Sequence, residues 1–246
     1  VAEDIVLLMD AMQLTKVHII GASMGGMLAQ VCLINYPDRF LSLASVMSNT
    51  GEFSMLGLPD YPLATLFYLY ISHPMSRPPA TDIKGLIQYE AESIQFQLGQ
   101  DKIETATWNG GLSLLEEAAR RHHAHTLHDT VDSRRDATAR QMDSIAWQSS
   151  GRKALLNTIQ IPTVVIHGLG DRLIPMESGI DTARAIGFPT CRKIILIPGC
   201  GHSMDDTFAK HTVAAIVENC RFAEDLFKRT GGSSGSSVAD VQRCKL

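Results

Sequence analysis

The chain has 246 residues, 45% of them hydrophobic and 20% charged, with a formal net charge of −4. This composition is typical of a globular domain large enough to bury a substantial core. It lacks the basic excess of nucleic-acid-binding proteins, and apolar runs such as Leu66–Ile71 fall far short of the ~18 residues that a membrane span needs. We therefore expect neither a nucleic-acid partner nor a membrane-spanning segment.

The first fifty residues alternate between helical and extended patterns. Val1–Met12 has apolar residues at helical spacing, Val17–Ile20 is a short apolar strand, and Met27–Leu33 is helical until Pro37 ends it. Leu41–Met47 then reads as a second buried strand. Strands that alternate with helices predict an α/β fold with a parallel sheet.

A serine lies at the junction of the first strand with the helix that follows it. Ser23 occupies the centre of Gly21–Gly25, a G-x-S-x-G pattern that Gly26 follows. We expect a tight turn that needs small residues two before and two after the serine, at Gly21 and Gly25, since strand and helix approach closely there. A serine in this position has a strained backbone and an exposed hydroxyl, which predicts a nucleophile.

The middle of the chain has no buried strand of this kind. Between Ser48 and Ile161 lie proline-bearing loops and charged helical stretches such as Ser113–His128 and Asp136–Gln148. Because structureless loops of this length are uncommon, we predict a helical cap over residues 51–158, inserted between a first core segment, residues 1–50, and a second, residues 159–230.

The predicted cap contains two groups of residues that invite a functional interpretation. Arg120–His125 with His128 is rich in histidine but has no carboxylate or cysteine at ligand spacing, so we predict a solvated helix face and no metal site. Four aromatic residues could line a pocket beneath the cap or form the cap's own core; these are Phe67, Tyr70, Trp108 and Trp147.

The α/β alternation returns in the last third of the chain. Thr163–His167 and Lys193–Ile197 are predicted strands, and Glu177–Ile186 and Thr207–Phe227 are predicted helices. With the first fifty residues they complete a parallel sheet covered by helices on both faces.

A serine nucleophile needs a base that is itself oriented by a third group. Asp171 lies in a glycine-bearing loop after the third strand, and His202 lies between a glycine and a polar turn after the fourth. With Ser23 they follow the chain order serine, acid, histidine. Asp171 could instead cap the following helix, and His167 is a competing base that we interpret as structural.

Two further acids follow His202 too closely to be better candidates for the third group. We interpret Asp205 and Asp206 as solvated residues at the start of a helix.

These segments resemble the α/β-hydrolase superfamily from Val1 to about Arg229. Ser23–Met27, Leu43–Gly51 and Ile161–Gly168 are similar to the branch that contains aclacinomycin methylesterase. The resemblance implies an α/β-hydrolase fold with an inserted helical cap, and no cofactor or metal.

The resemblance also implies roles for four residues. Ser23 would be the nucleophile, Asp171 the acid and His202 the base, and the backbone amide of Met24 would hold the oxyanion. The expected activity is hydrolysis of a small-molecule carboxylic ester or thioester. Carbon–carbon bond hydrolysis and perhydrolase chemistry use the same triad, and a non-catalytic ligand-binding protein on this fold stays open.

The chain departs from the family pattern at its beginning. Only twenty residues precede Gly21, whereas the family places about four strands and a second oxyanion loop before the nucleophile. Since the first residue is Val1, we expect a piece of a longer protein that lacks the first strands and exposes Val17–Ile20 as an apolar edge. Alone, it should have low activity, because one oxyanion donor is missing.

The final residues, 231–246, form a glycine- and serine-rich linker that ends in Cys244-Lys245-Leu246. A small residue, a cation and leucine are similar to the peroxisomal address S-K-L. We therefore expect an import receptor as a partner and a location in the peroxisome or a related organelle, and otherwise in the cytoplasm.

The cysteines are five in number and have no C-x-x-C spacing; they are Cys32, Cys191, Cys200, Cys220 and Cys244. An odd number without a spacing pattern favours reduced thiols over a disulfide framework.

Overall fold

A computed structural model describes residues 1–52, 78, 81–98, 106–126, 151–171 and 173–231. Its strands are β1 (Val17–Ala22), β2 (Phe40–Val46), β3 (Thr163–Gly168) and β4 (Cys191–Ile197). Its α-helices are α1 (Ala2–Ala11), α2 (Met24–Asn35), α3 (Ile83–Gln97), α4 (Leu114–Thr126), α5 (Arg152–Leu155), α6 (Met176–Ile186) and α7 (Asp206–Arg229). Short 3-10 helices lie at Pro37–Arg39 and Leu156–Thr158.

The four strands form one parallel sheet in the order β1-β2-β3-β4. Their register aligns the carboxyl ends, since Ala22 pairs with Val46 and Val46 pairs with Ile166. The loops that follow β1, β3 and β4 therefore begin at one edge of the sheet, where open α/β folds bind their ligands.

Helices cover both faces of the sheet, as predicted. On one face, Leu43 and Val165 pack with residues of α1, α2 and α6. On the other face, their neighbours Ala44 and Val164 pack with Phe208 and other residues of α7. Successive strand residues point to opposite faces, so each strand contributes to both apolar cores. The predicted α/β fold with a parallel sheet is confirmed.

The apolar residues of helix α1 are only partly buried. Val6 and Met9 are buried and Ile5 packs against the same core as Met9, whereas Leu8 and Met12 are 59% and 60% exposed. The predicted apolar edge is also present: β1 is the outer strand in the described sheet, and Ile20 is 56% exposed.

The described helices within the predicted cap are α3, α4, α5 and the 3-10 helix Leu156–Thr158. Trp108 is buried against Ile94, Leu98 and Ala118, so this aromatic residue belongs to a small core formed with α3 and α4. The stretch Asp136–Gln148 and three of the aromatic residues, Phe67, Tyr70 and Trp147, lie outside the described residues, as does the C-terminal tripeptide. The boundaries of the cap stay a prediction.

Within the described ranges, no helix is long and apolar enough to cross a membrane. Four cysteines in these ranges are free thiols: Cys32, Cys191, Cys200 and Cys220. Burial raises the pKa of Cys32 and of Cys191 to about 11, which keeps both thiols protonated and unreactive near neutral pH.

Candidate active site

The nucleophile turn has the strained backbone that the sequence predicted. Ser23 has φ 55° and ψ −122° at the N-cap position of α2, a conformation that non-glycine residues rarely adopt. Its N–H donates to the carbonyl of Val46 over 2.9 Å, which anchors the turn to β2. The strain therefore lies at the one residue whose hydroxyl must project from the sheet.

The glycines around Ser23 have unequal importance. A methyl group on Gly21 would clash with the carbonyl of Gly25, and one on Gly26 would lie 2.5 Å from the Cβ of Ser48. A methyl group on Gly25 would meet nothing within 4 Å. The predicted need for a small residue was right for Gly21, which lies against the backbone of Gly25, and wrong for Gly25 itself, whose Cβ position faces open space. The second position that needs a small residue is Gly26, beside Ser48.

The structure brings the three predicted site residues together. His202 Nδ1 donates to Asp171 Oδ2 over 2.7 Å, and His202 Nε2 lies 2.9 Å from Ser23 Oγ. Because Nδ1 carries a proton toward the carboxylate, Nε2 is free to accept the serine proton. Asp171 and His202 are buried, whereas Ser23 is half-buried. Such an arrangement can activate a hydroxyl for attack on a carbonyl.

Each carboxylate oxygen of Asp171 has its own partners. Oδ1 accepts from the backbone N–H groups of Leu173 and Ile174 over 2.9 and 2.8 Å, so Asp171 also holds the turn before α6. Burial alone would raise the pKa of Asp171, but hydrogen bonds from His167 and His202 outweigh it and lower the pKa. The carboxylate is therefore ionised when it faces His202.

His167, the competing base, is fully buried at the end of β3. Its Nε2 lies 2.8 Å from the carbonyl oxygen of Ile174 and 3.3 Å from Asp171 Oδ2. The position beside Ser23 is held by His202, as predicted. The sequence did not indicate the contact between His167 and Asp171, although their separation of four residues across a glycine loop is compatible with it.

The loop that carries His202 and the start of α7 are hydrogen-bonded to residues at and after the end of α3. The backbone N–H of His202 donates to the carbonyl of Gln97 over 2.6 Å. Asp206 accepts from the hydroxyl of Thr107 over 2.8 Å and from the N–H of Gly110 over 3.1 Å. These contacts join segments about a hundred residues apart, and no local pattern could have predicted them.

The prediction that Asp205 and Asp206 are solvated is therefore corrected. Asp205 does begin a helix, since its side chain accepts from the N–H of Phe208 over 2.8 Å, but it is 1% exposed. Asp206 is half-buried and accepts hydrogen bonds from Thr107 and Gly110. Both side chains accept hydrogen bonds within the protein, and neither belongs to a solvated face.

The predicted oxyanion donor lies in the same turn. Met24 is the first residue of α2, so its N–H has no acceptor within the helix. The adjacent helix N-terminus also favours negative charge. The role of this amide in holding an oxyanion stays a prediction.

The histidine-rich helix α4 has a structural ion pair at its centre. Arg120 and Arg121 lie 2.7 and 2.8 Å from the carboxylate of Glu117, which is 2% exposed. These contacts lower the pKa of Glu117 to about 2. In the described ranges, no group of three histidine, cysteine or acidic side chains is placed to hold a metal ion.

Comparison with known proteins agrees with this geometry. Residues 1–205 match the α/β hydrolase fold family. The chain is 26% identical over 199 residues to 2-hydroxy-6-oxo-6-phenylhexa-2,4-dienoate hydrolase from Comamonas testosteroni. This match covers 79% of the chain and 59% of the relative. It is 28% identical over 204 residues to a 2-hydroxy-6-oxononadienedioate/2-hydroxy-6-oxononatrienedioate hydrolase from Dechloromonas aromatica, with 79% and 58% covered.

A solved structure shows the same fold at lower identity. The serine hydrolase from the polyaromatic-hydrocarbon-degrading bacterium Cycloclasticus zankles superimposes with a TM-score of 0.63 at 19% identity, over 92% of this chain and 70% of the other. The chain thus spans about three fifths of the length of the curated relatives it matches. With the family match extending over most of its sequence, the chain belongs to the α/β-hydrolase family.

Proposed function

We propose that this protein is a serine hydrolase in which Ser23 attacks the carbonyl carbon of a small-molecule substrate. The observation that carries the proposal is the continuous hydrogen-bonded series from Ser23 through His202 to Asp171, at 2.9 and 2.7 Å. His202 Nε2 takes the hydroxyl proton as the bond from Oγ to carbon forms, and Asp171 stabilises the imidazolium. The N–H of Met24 would stabilise the developing oxyanion.

The same imidazole then completes both halves of the reaction. The proton on Nε2 passes to the leaving group as its bond to the acyl carbon breaks, which leaves an acyl group on Ser23. His202 next takes a proton from water, and the resulting hydroxide attacks the acyl carbon. The acid is released with regeneration of the Ser23 hydroxyl.

The curated relatives favour a carbon–carbon bond as the bond that is cleaved. The name of the Comamonas relative describes a substrate with a ketone at carbon 6 and no ester. Hydrolysis at that ketone must break the carbon–carbon bond beside it, so the proton from His202 would go to carbon. We propose an unsaturated oxo-acid of this class as the first candidate substrate.

A carboxylic ester or thioester is the second candidate. It is favoured by the similarity of Ser23–Met27 and Leu43–Gly51 to the methylesterase branch. Both candidates need the same nucleophile and base, and differ only in the leaving group that receives the proton.

A fluorophosphonate probe tests the nucleophile without knowledge of the substrate. We expect slow covalent labelling of the native protein, loss of labelling in S23A, and an unchanged rate in the control variant S113A, since Ser113 directly precedes α4 and bonds to Glu116. An unlabelled native protein would favour a non-catalytic binder. Labelling that persists in S23A would show that the nucleophile is another residue.

Substrate comparison then separates the two bond classes. The native protein and S23A are assayed with 2-hydroxy-6-oxo-6-phenylhexa-2,4-dienoate, followed by loss of the dienoate absorbance, and with nitrophenyl esters and an acyl thioester. We expect kcat/KM to be at least about tenfold higher for the dienoate, a difference of ~1.4 kcal/mol in transition-state binding. Preference for an ester or thioester would reverse the order of the candidates.

A further inference from the structure

Two imidazole rings converge on one oxygen of the predicted acid. Asp171 Oδ2 lies 2.7 Å from His202 Nδ1 and 3.3 Å from His167 Nε2. The His167 nitrogen also lies 2.8 Å from the carbonyl oxygen of Ile174. All three side chains are buried, with exposures of 7% for Asp171, 7% for His202 and 0% for His167. The proton transfers of the proposed reaction do not involve the ring of His167.

The contacts of His167 fix its tautomer. A backbone carbonyl can only accept, so Nε2 must carry a proton, and this nitrogen also lies 3.3 Å from Asp171 Oδ2. Nδ1 is buried without a hydrogen-bond partner, and a methyl group on Gly179 would lie 2.6 Å from it. The ring therefore presents a donor at Nε2 to the Ile174 carbonyl and the Asp171 carboxylate.

We propose that His167 is a positioning residue, which fixes Asp171 Oδ2 so that this oxygen accepts the hydrogen bond from His202 Nδ1. The inference deepens the proposed hydrolase function and rests on it for its catalytic consequence. Oδ1 is held by two backbone donors, and Oδ2 is held by two imidazoles. With all four contacts present, the carboxylate has one orientation and stays ionised.

The electrostatics of the carboxylate agree with this role. After the effect of burial, which raises the pKa of Asp171, the hydrogen bond from His167 is the largest influence that lowers it. Loss of this donor should therefore raise the pKa of Asp171, whereas a ring that only fills space would leave it unchanged.

The decisive variants differ in where they place a donor. In H167Q the side-chain amide nitrogen can reach the position of the ring Nε2, whereas in H167L there is no donor and in H167N the amide is too short to reach. T182V is the matched control, because Thr182 is equally buried and its hydroxyl donates to Ser178 within α6, away from Asp171. H167N keeps the test valid should H167L not fold.

The first readout is independent of catalysis. Carbon-13 NMR of the Asp171 carboxyl group should show a higher pKa in H167L and H167N than in the native protein, with the native value restored in H167Q and retained in T182V. If the pKa of Asp171 is unchanged in both H167L and H167N, the proposal is overturned. It is also overturned if the pKa rises equally in H167Q.

The second readout is the rate of fluorophosphonate labelling at saturating and at low probe concentration. We expect the maximal labelling rate to fall about 10- to 100-fold in H167L and H167N, the effect of losing one hydrogen bond to a charged group, with little change in the half-saturating concentration. A native protein that is not labelled, but whose Asp171 pKa depends on His167 as described, would refute the hydrolase function and leave the positioning of Asp171 supported. Full-rate labelling of both donorless variants would overturn the catalytic consequence.

Discussion

Asp171 shows how one side chain can serve the fold and the site at once. Its Oδ1 atom completes the turn at Leu173 and Ile174, while its Oδ2 atom faces His202. Two interpretations of this residue, a local cap and a member of a triad, are therefore compatible. Because the two oxygens have different partners, they also determine the orientation of the side-chain amide when asparagine replaces Asp171.

We predict that D171N folds and loses most activity. The two backbone N–H groups at Oδ1 require an acceptor, so the amide oxygen must face them and the NH₂ group must face His202 and His167. His167 keeps the carbonyl of Ile174 as its acceptor. His202 would then accept at Nδ1 and carry its proton on Nε2, which could no longer take the proton of Ser23. The labelling rate should fall by about 10⁴, the size of effect that the wrong histidine tautomer produces in a serine triad.

Circular dichroism checks that D171N is folded, and D181N is its control. Asp181 lies on α6 and pairs with Lys153 and Thr50, so its amide should leave the labelling rate unchanged. A D171N protein that retains more than about a tenth of the native rate would contradict the assignment of the acid by this tautomer argument.

At the scale of elements, local patterns were sufficient for the strands and for the order of the site residues. Apolar runs predicted all four strands of the described sheet, and the turn after each of three strands supplied Ser23, Asp171 or His202. What the patterns missed depends on contacts between distant segments. Examples are the close approach of Gly26 to Ser48 and the hydrogen bond from Gly110 to Asp206. In neither case does the sequence around one residue indicate its distant partner.

The approach of α2 to the sheet gives a prediction with a built-in control. G26A would place a methyl group 2.5 Å from the Cβ of Ser48, and neither group can move far within a buried turn. The methyl group of G25A would instead project into open space. We expect G26A to lower the free energy of unfolding by about 1–3 kcal/mol through overpacking. We expect G25A to be neutral or to raise it by up to ~1 kcal/mol, because alanine favours the helix.

Urea unfolding of the two variants measures this difference, and the probe-labelling rate reports whether Ser23 has moved. Equal stabilities for G26A and G25A would show that Ser48 does not limit the approach of α2.

At the scale of the whole molecule, the described sheet has one outer strand that is apolar and accessible. Ile20 on β1 is 56% exposed, and α1 exposes Leu7, Leu8 and Met12 by 58%, 59% and 60%. The backbone of an outer strand presents N–H and C=O groups that another strand can pair with. Natural edge strands commonly carry lysine at such positions, and β1 has isoleucine.

We therefore predict that I20K reduces concentration-dependent self-association of the 246-residue chain. Since Ile20 is largely exposed, the substitution should change the free energy of unfolding by no more than about 0.5 kcal/mol, so an effect on association would come from the edge itself. Light scattering coupled to size-exclusion chromatography over a range of protein concentrations measures the average mass. V213K is the control. Val213 is 45% exposed on α7, so lysine at this position adds the same charge away from β1. If V213K lowers the average mass as much as I20K does, net charge and not the β1 edge controls association.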